Sequence, residues 1–236
     1  MIDNLLFEVK KMYKYETHLH TYPVSQCAKA GVRECLEFYK ENGYSGVFIT
    51  NHFLDGNINI DKALPYKEKI EFHFSDYEKA LTLEREIGIK VFYGAEISYC
   101  GTDFLIYGLD KEWFLKHPEI MDMRKKEQLQ FFIENEALVV QAHPYREAFY
   151  IDHIRLFPRQ VHGVEVINAC RTELENKMAK IYAQNYGLLE FAGSDNHIGA
   201  GQKKLAGMSC EEEVLSESDF VEKVKNEKMN VFTLEL

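Results

Sequence analysis

Five short apolar runs in this chain each close on a histidine or a carboxylate. Tyr15 to Leu19 ends in His18-Leu19-His20, Val47 to Ile49 leads into Thr50-Asn51-His52, and Ile89 to Tyr93 leads into Gly94-Ala95-Glu96. Ala137 to Val140 runs into Gln141-Ala142-His143-Pro144, and Leu188 to Phe191 into Asp195-Asn196-His197. Apolar runs this short, separated by helical signals, read as buried strands of a mostly parallel sheet. Parallel strands gather their C-terminal ends in one place. His18, His20, His52, Glu96, His143, Asp195 and His197 are therefore predicted to converge, and metal binding is the economical reason for such a gathering.

The segments between these runs carry the helical half of the pattern. Val32, Cys35, Leu36 and Tyr39 have helical spacing, with Gly43 as a stop. Ser75-Asp76-Tyr77-Glu78 reads as a capping box that opens a helix through Ala80, Leu81 and Ile87. A helix is predicted from about Met121 to Glu134. Thr172-Glu173-Leu174-Glu175 is a second capping box, whose helix would carry Leu174, Met178, Ile181 and Tyr182 on one face and end near Gly187. Further strands are expected at Phe104 to Tyr107, Val164 to Ile167, Leu205 to Met208 and, as an edge, Asn230 to Leu234, with a last helix from Ser216 to Glu227. No Pro/Gly-rich linker or repeat interrupts residues 1–236, so one domain of alternating β and α elements is expected. Seven or more parallel strands favour a barrel over an open sheet. The stretch from Phe53 to Phe74 is the longest without a clear pattern and is the expected substrate lid.

Composition narrows the function. The net charge is -10, which argues against long nucleic acid as a partner, because backbone contacts need a basic face. No apolar run approaches the roughly 20 residues of a membrane span, and Met1 to Leu5 lacks the basic start of a secretory leader. The five cysteines are scattered without a CxxC pair, so a reducing cytoplasm is expected.

Alternate residues of a strand share a face, so His18 with His20, and Asp195 with His197, can reach one metal cluster. A carboxylate such as Glu96 can bridge two ions. Two such ions about 4 Å apart can clamp a phosphoryl or acyl group and generate hydroxide from water. HxH or DxH alone would mean little, and His52 alone is more often a loop or core histidine. Their recurrence at strand ends changes that weighting.

The order HxH, then (T/D)-x-H, then a strand ending in Glu, then AHP, then GSDxH resembles the polymerase and histidinol phosphatase (PHP) superfamily. The matching text is ETHLHTYPVSQC, VFITNHF, VFYGAEIS, VVQAHPYR, GVEVIN and FAGSDNH, which covers most of the chain. The resemblance implies a distorted (β/α)7 barrel, TIM-like, with its active site at the C-terminal strand ends. It implies two or three divalent ions (zinc, manganese or iron) and hydrolysis of a small phosphorylated substrate by metal-bound hydroxide. Position by position, His18, His20, Glu96 and Asp195 would hold a first metal. Glu96 and His143 would hold a second, and His52 and His197 would face a third.

Two positions depart from that family. The ligand expected five or six residues after the HxH pair is replaced by Ser25 and Gln26, so the third ion is expected to bind weakly or to be absent. Cys27, one step on, reads as a buried structural residue, with a ligand role as the alternative. Asp103 stands where a histidine is usual and would give the second position more oxygen character, favouring manganese or iron. Arg146 and Arg171 are the candidate phosphate contacts, since a planar guanidinium fork suits phosphate oxygens. Lys203 and Lys204 are weaker candidates. Asn51, Tyr145 and Asn168 are candidates for orienting ligands or substrate, while His73, His117, His153 and His162 read as surface or core. The rival functions are an amidohydrolase-like attack on a carbon centre and a non-catalytic metal-binding domain.

Overall fold

The computed structural model describes residues 11–236. The leader reading on residues 1–5 lies outside them. Among the described residues nine strands form one sheet: β1 (Tyr13–Leu19), β2 (Gly46–Ile49), β3 (Lys90–Tyr99), β4 (Thr102–Tyr107), β5 (Leu138–Ala142), β6 (Gly163–Asn168), β7 (Leu189–Gly193), β8 (Lys204–Cys210) and β9 (Asn230–Glu235). Six α-helices accompany them: α1 (Val32–Glu41), α2 (Tyr66–Ile87), α3 (Lys111–Lys116), α4 (Lys125–Glu134), α5 (Glu173–Tyr186) and α6 (Glu217–Lys225). The spatial order is β7-β6-β5-β4-β3-β2-β1-β8-β9. Among the described residues no helix is long and apolar enough to cross a membrane, and all five cysteines are free.

The sheet curls until its ends nearly meet. Leu19 bridges Asn196 just past β7, with His20 N donating to Asn196 O at 3.1 Å. Thr17 Oγ1 donates to Ala192 O at 2.5 Å. On the other side of β1, Gly207 lets β8 lie against β1, because a Cβ there would collide with the carbonyl of Tyr15. Inside, Phe220 of α6 packs among Phe48, Tyr107 and Phe191, with ring centroids 4.2, 5.4 and 6.1 Å away. A close-packed aromatic centre of this kind fixes how far the strand ends above it can shift.

The barrel differs from the expected (β/α)7 form in being mixed. β4 runs antiparallel to both β3 and β5, and β8 antiparallel to β1 and β9. For β4 the cause is the Cys100-Gly101 turn, whose φ values of 49° and 81° are both left-handed. Such a two-residue turn returns the chain as a hairpin, with no crossover helix. β3 therefore continues six residues past Tyr93, and Glu96 lies within a strand instead of closing one.

Other differences have equally local causes. α2 begins at Tyr66 and runs straight through the supposed capping box, since Ser75 Oγ donates to Phe72 O at 2.7 Å within the helix. The irregular segment ahead of it thus ends at Pro65, and the second half of the expected lid is helical. The helix expected from Met121 starts as α4 at Lys125, after a 3-10 turn at Pro118–Met121, and the six residues of α3 are too few to show a helical period. The Thr172 capping box forms with both of its hydrogen bonds, but α5 buries Ala179, Tyr182 and Ala183. Leu174, Met178 and Ile181 face outward, because the alanines allow a closer approach to β6 than the larger side chains would.

Candidate metal centre

Register brings the carboxylates to the histidines. His52, three residues past β2, bridges Glu96 on β3, and Asp103 on β4 pairs with Ala142 at the end of β5. Antiparallel β4 thereby starts where the parallel strands end, and Asp103 sits beside His143. Asp195 and His197 follow β7, which Gly193 allows to press on β1. A Cβ on Gly193 would stand 2.5 Å from His18 Cβ and 2.8 Å from Glu165 Oε1. His143 and Asp195 have φ values of 25° and 55°, a conformation that persists only where neighbouring bonds hold it. Here His143 N donates to Glu165 Oε2 at 3.0 Å, and the Asp195 carbonyl accepts from His197 Nδ1 at 2.8 Å.

Glu96 is the hub. His18 Nε2 and His143 Nε2 each lie 3.3 Å from Glu96 Oε1, while His20 Nε2 and His52 Nδ1 lie 3.4 and 2.7 Å from Oε2. Asp195 Oδ1 is 3.5 Å from His18 Nε2 and 3.6 Å from His20 Nε2. Four trios offer donor atoms close enough together to share an ion: His18/His20/Glu96, His18/His143/Asp195, Glu96/Asp103/His143 and His20/His52/His197.

Six buried atoms in this cluster have no hydrogen-bond partner: His18 Nε2, His20 Nε2, His52 Nδ1, Glu96 Oε2, Asp103 Oδ2 and His143 Nε2. Their close contacts with one another, and the ion pair of Asp103 Oδ2 with Arg146, are out of line for hydrogen bonds. Buried polar atoms are almost always paired, so this many converging orphans call for a common partner. Imidazole nitrogens and carboxylate oxygens at these separations fit divalent metal ions.

The far sides of the rings are tied down. Glu165 Oε1 holds His18 Nδ1 at 3.0 Å, and Asn168 Nδ2 braces Glu165 Oε2 at 2.9 Å and Asp195 Oδ2 at 3.3 Å. Ser25 Oγ donates to Asn51 Oδ1 at 2.8 Å and so must accept from His20 Nδ1 at 3.1 Å. That leaves His20 Nε2 as a bare lone pair pointing inward. Asn51 Nδ2 in turn donates to Thr21 Oγ1, which donates to buried Asp76 Oδ2 at 2.7 Å. Ser25 thus orients His20. Glu165 and Asp76 were not singled out in the sequence. The signal for Glu165 was a carboxylate between Val164 and Val166, where an apolar residue would be expected on a strand buried on both faces.

Electrostatics favour a cation at the centre. Burial pushes the Glu96 carboxyl up, but His52, His143 and His18 outweigh it and hold the group well below its usual range. Asp195 is likewise lowered against its burial, by His18, His143 and His197. His18 is raised despite burial by Asp195 and Glu165, whereas burial and the neighbouring His197 and His52 push His20 down. Glu16, whose Oε1 accepts from His18 N and Ser194 N, is lifted by burial to about 7.

The cluster opens on a cleft of about 600 Å³ walled in part by Arg146, Asp103, Tyr150, Cys27 and His197. Arg146 forms an ion pair with Asp103 at 2.7 Å and donates to Gly101 O at 3.2 Å. Arg171 does not line this cleft and acts electrostatically on Cys170 and Glu175. Lys204 pairs with Glu235, and Tyr145 packs near Tyr182 of α5. Cys27 is half-buried on the cleft wall, in place of the expected structural core position. Of the remaining histidines, buried His73 supports the site from outside: its Nδ1 meets the His52 carbonyl at 3.2 Å and its Nε2 the Tyr93 hydroxyl at 2.8 Å.

No family model matches the chain, and no curated protein matches it by sequence. Solved structures do match. A two-domain protein from Bacteroides vulgatus, containing a predicted PHP-like metal-dependent phosphoesterase, superposes with TM-score 0.65 at 13% identity over 94% of this chain. The present chain spans 65% of that protein's length. PsfC from Pseudomonas syringae gives 0.60 at 15% identity, covering 96% of this chain and 92% of PsfC. An amidohydrolase from Chromobacterium violaceum, solved with bound sulfate, gives 0.51 at 13% identity, covering 80% and 89% of the two chains. Identities this low show a shared fold alone.

Proposed function

We propose that this chain, which has the fold of the PHP-like phosphoesterases, is a metal-dependent hydrolase of a small phosphate ester. The observation that carries the reading is the set of six orphaned donor atoms around Glu96, on the floor of a cleft walled by Arg146. His18, His20, Glu96 and Asp195 would hold one ion, and Glu96, His143 and Asp103 a second. His52 and His197 face a third position. When bound, such ions activate water and offset charge on the phosphoryl oxygens.

The chain's own residues do the rest. Glu165 and Ser25 fix the His18 and His20 rings so that their Nε2 lone pairs face inward. Asp103 holds the Arg146 guanidinium at the cleft wall, where its remaining N–H groups can meet phosphate oxygens. A phosphate oxygen there would also relieve the unpaired Arg146 Nε. An overall charge of -10 favours a compact substrate over long nucleic acid.

The amidohydrolase-like reading remains the rival, supported by the fold shared with the Chromobacterium protein. A panel of phosphate esters, amides and lactones, assayed with zinc, manganese or iron, separates the two. Phosphate release is expected, and it should fall to background in His18→Ala and Asp195→Asn while circular dichroism is unchanged. Turnover of amides or lactones alone would select the rival. Turnover of neither class, in protein that binds metal, would select a non-catalytic domain.

A further inference from the structure

The outer corner of the cluster contains a sulfur that the reading above does not use. Cys27 Sγ lies 3.2 Å from His52 Nε2, and the same sulfur is within hydrogen-bonding reach of the His197 ring. Its loop is pinned by three backbone bonds: Gln26 N to Asn57 O at 2.9 Å, Ala28 N to Ser25 O at 3.1 Å, and Lys29 N to the carbonyl of His197 itself at 2.7 Å. Cys27 also lines the cleft, so an ion could reach it from solvent.

His197 Nδ1 is already engaged by the Asp195 carbonyl at 2.8 Å. A second observation points to the same place. The trio His20, His52 and His197 brings its donor atoms together, and fully buried His20 Nε2 has no partner.

We propose that Cys27, as a thiolate, joins His52 and His197 in holding an ion at the third position, and that this position selects zinc over manganese. The inference rests on the metal-centre reading above and deepens it. Binding forms a sulfur–metal bond and releases the Cys27 proton to solvent. Two imidazoles and one thiolate, with a fourth position open to the cleft, form a ligand set that suits zinc, whereas manganese prefers oxygen.

Cobalt(II) loading of the metal-stripped full chain tests this, because thiolate ligation adds a sulfur-to-cobalt charge-transfer band in the near ultraviolet. Wild type is expected to show the band and to bind one more equivalent of cobalt than Cys27→Ser, which loses the band. Cys27→Asp should regain the equivalent without the band, which separates loss of a ligand from loss of fold. A loaded wild type without the band, or a Cys27→Ser variant with unchanged band and stoichiometry, overturns the proposal and leaves the inner cluster standing. Failure of wild type to bind any cobalt overturns the inner cluster as well.

Discussion

The two corners of the cluster are built differently. At the inner corner His18, His143, Asp195 and Glu165 are each no more than 5% exposed, and the His18 ring and the Glu165 and Asp195 carboxylates each have an outward brace. At the outer corner the His197 side chain is 27% exposed, Cys27 is half-buried, and both line the open cleft. Carboxylates dominate the first, nitrogen and sulfur the second. The difference teaches that packing against the barrel interior dictates the inner geometry, whereas loops that can change sequence without disturbing the barrel set the outer ligands. Metal preference and substrate choice should therefore vary at the outer corner, while the inner one should tolerate almost nothing.

The comparison breaks most severely at Gly193. Gly193→Ala forces a methyl into His18 and Glu165, so stability should fall by roughly 1–3 kcal/mol and the inner ions should be lost together. Denaturant melts and metal analysis of one sample check both. A stable variant with full metal content would show that the inner corner is softer than described.

Next in size is Glu165→Gln, which keeps the shape of the brace and removes its charge. Metal affinity is expected to drop about 10–100-fold with a native circular dichroism spectrum. Competition against a chelator reads this out, and unchanged affinity would remove Glu165 from the site. Ser25→Ala acts chiefly on stability, at about 1–3 kcal/mol, by leaving the Asn51 carbonyl oxygen and His20 Nδ1 short of partners. Its metal affinity should fall by less than that of Glu165→Gln. An equal or larger fall would reverse the ranking of the two braces.

The smallest effect serves as a control away from both corners. His162 Nδ1 accepts from Val139 N at 3.1 Å, and burial, with the Lys225 charge, holds its ring down at about 4, against an ordinary 6.5. The unfolded chain binds the extra proton first, so this contribution is complete above pH 6.5 and declines as pH falls toward 4. His162→Gln should flatten the slope of stability in that window and leave metal content unchanged. An identical slope would assign the acid sensitivity to other groups.

The ends of the parallel strands were legible because burial on both faces leaves a clear apolar run that stops where a polar side chain turns inward. His18, His52, His143 and Asp195 were found that way. Glu96 was recognised as a site residue but misplaced within its strand, because a Cys-Gly hairpin looks like any short polar break until its φ values are known. Ser75 misled for a related reason, since a hydroxyl bonded back to the preceding turn resembles a cap. Outward Leu174, Met178 and Ile181 show that helical spacing gives a face without saying which face is buried. Glu165 and Asp76 were hidden because their partners lie 147 and 55 residues away in the chain.

Metal content per chain, measured by elemental analysis on untagged protein purified without chelator, tests the central claim most directly. At least two equivalents of zinc, manganese or iron are predicted, lost together in a His18→Ala/His20→Ala double variant. Protein that holds no metal after reconstitution with all three would contradict the account and leave the six orphaned atoms around Glu96 without an explanation.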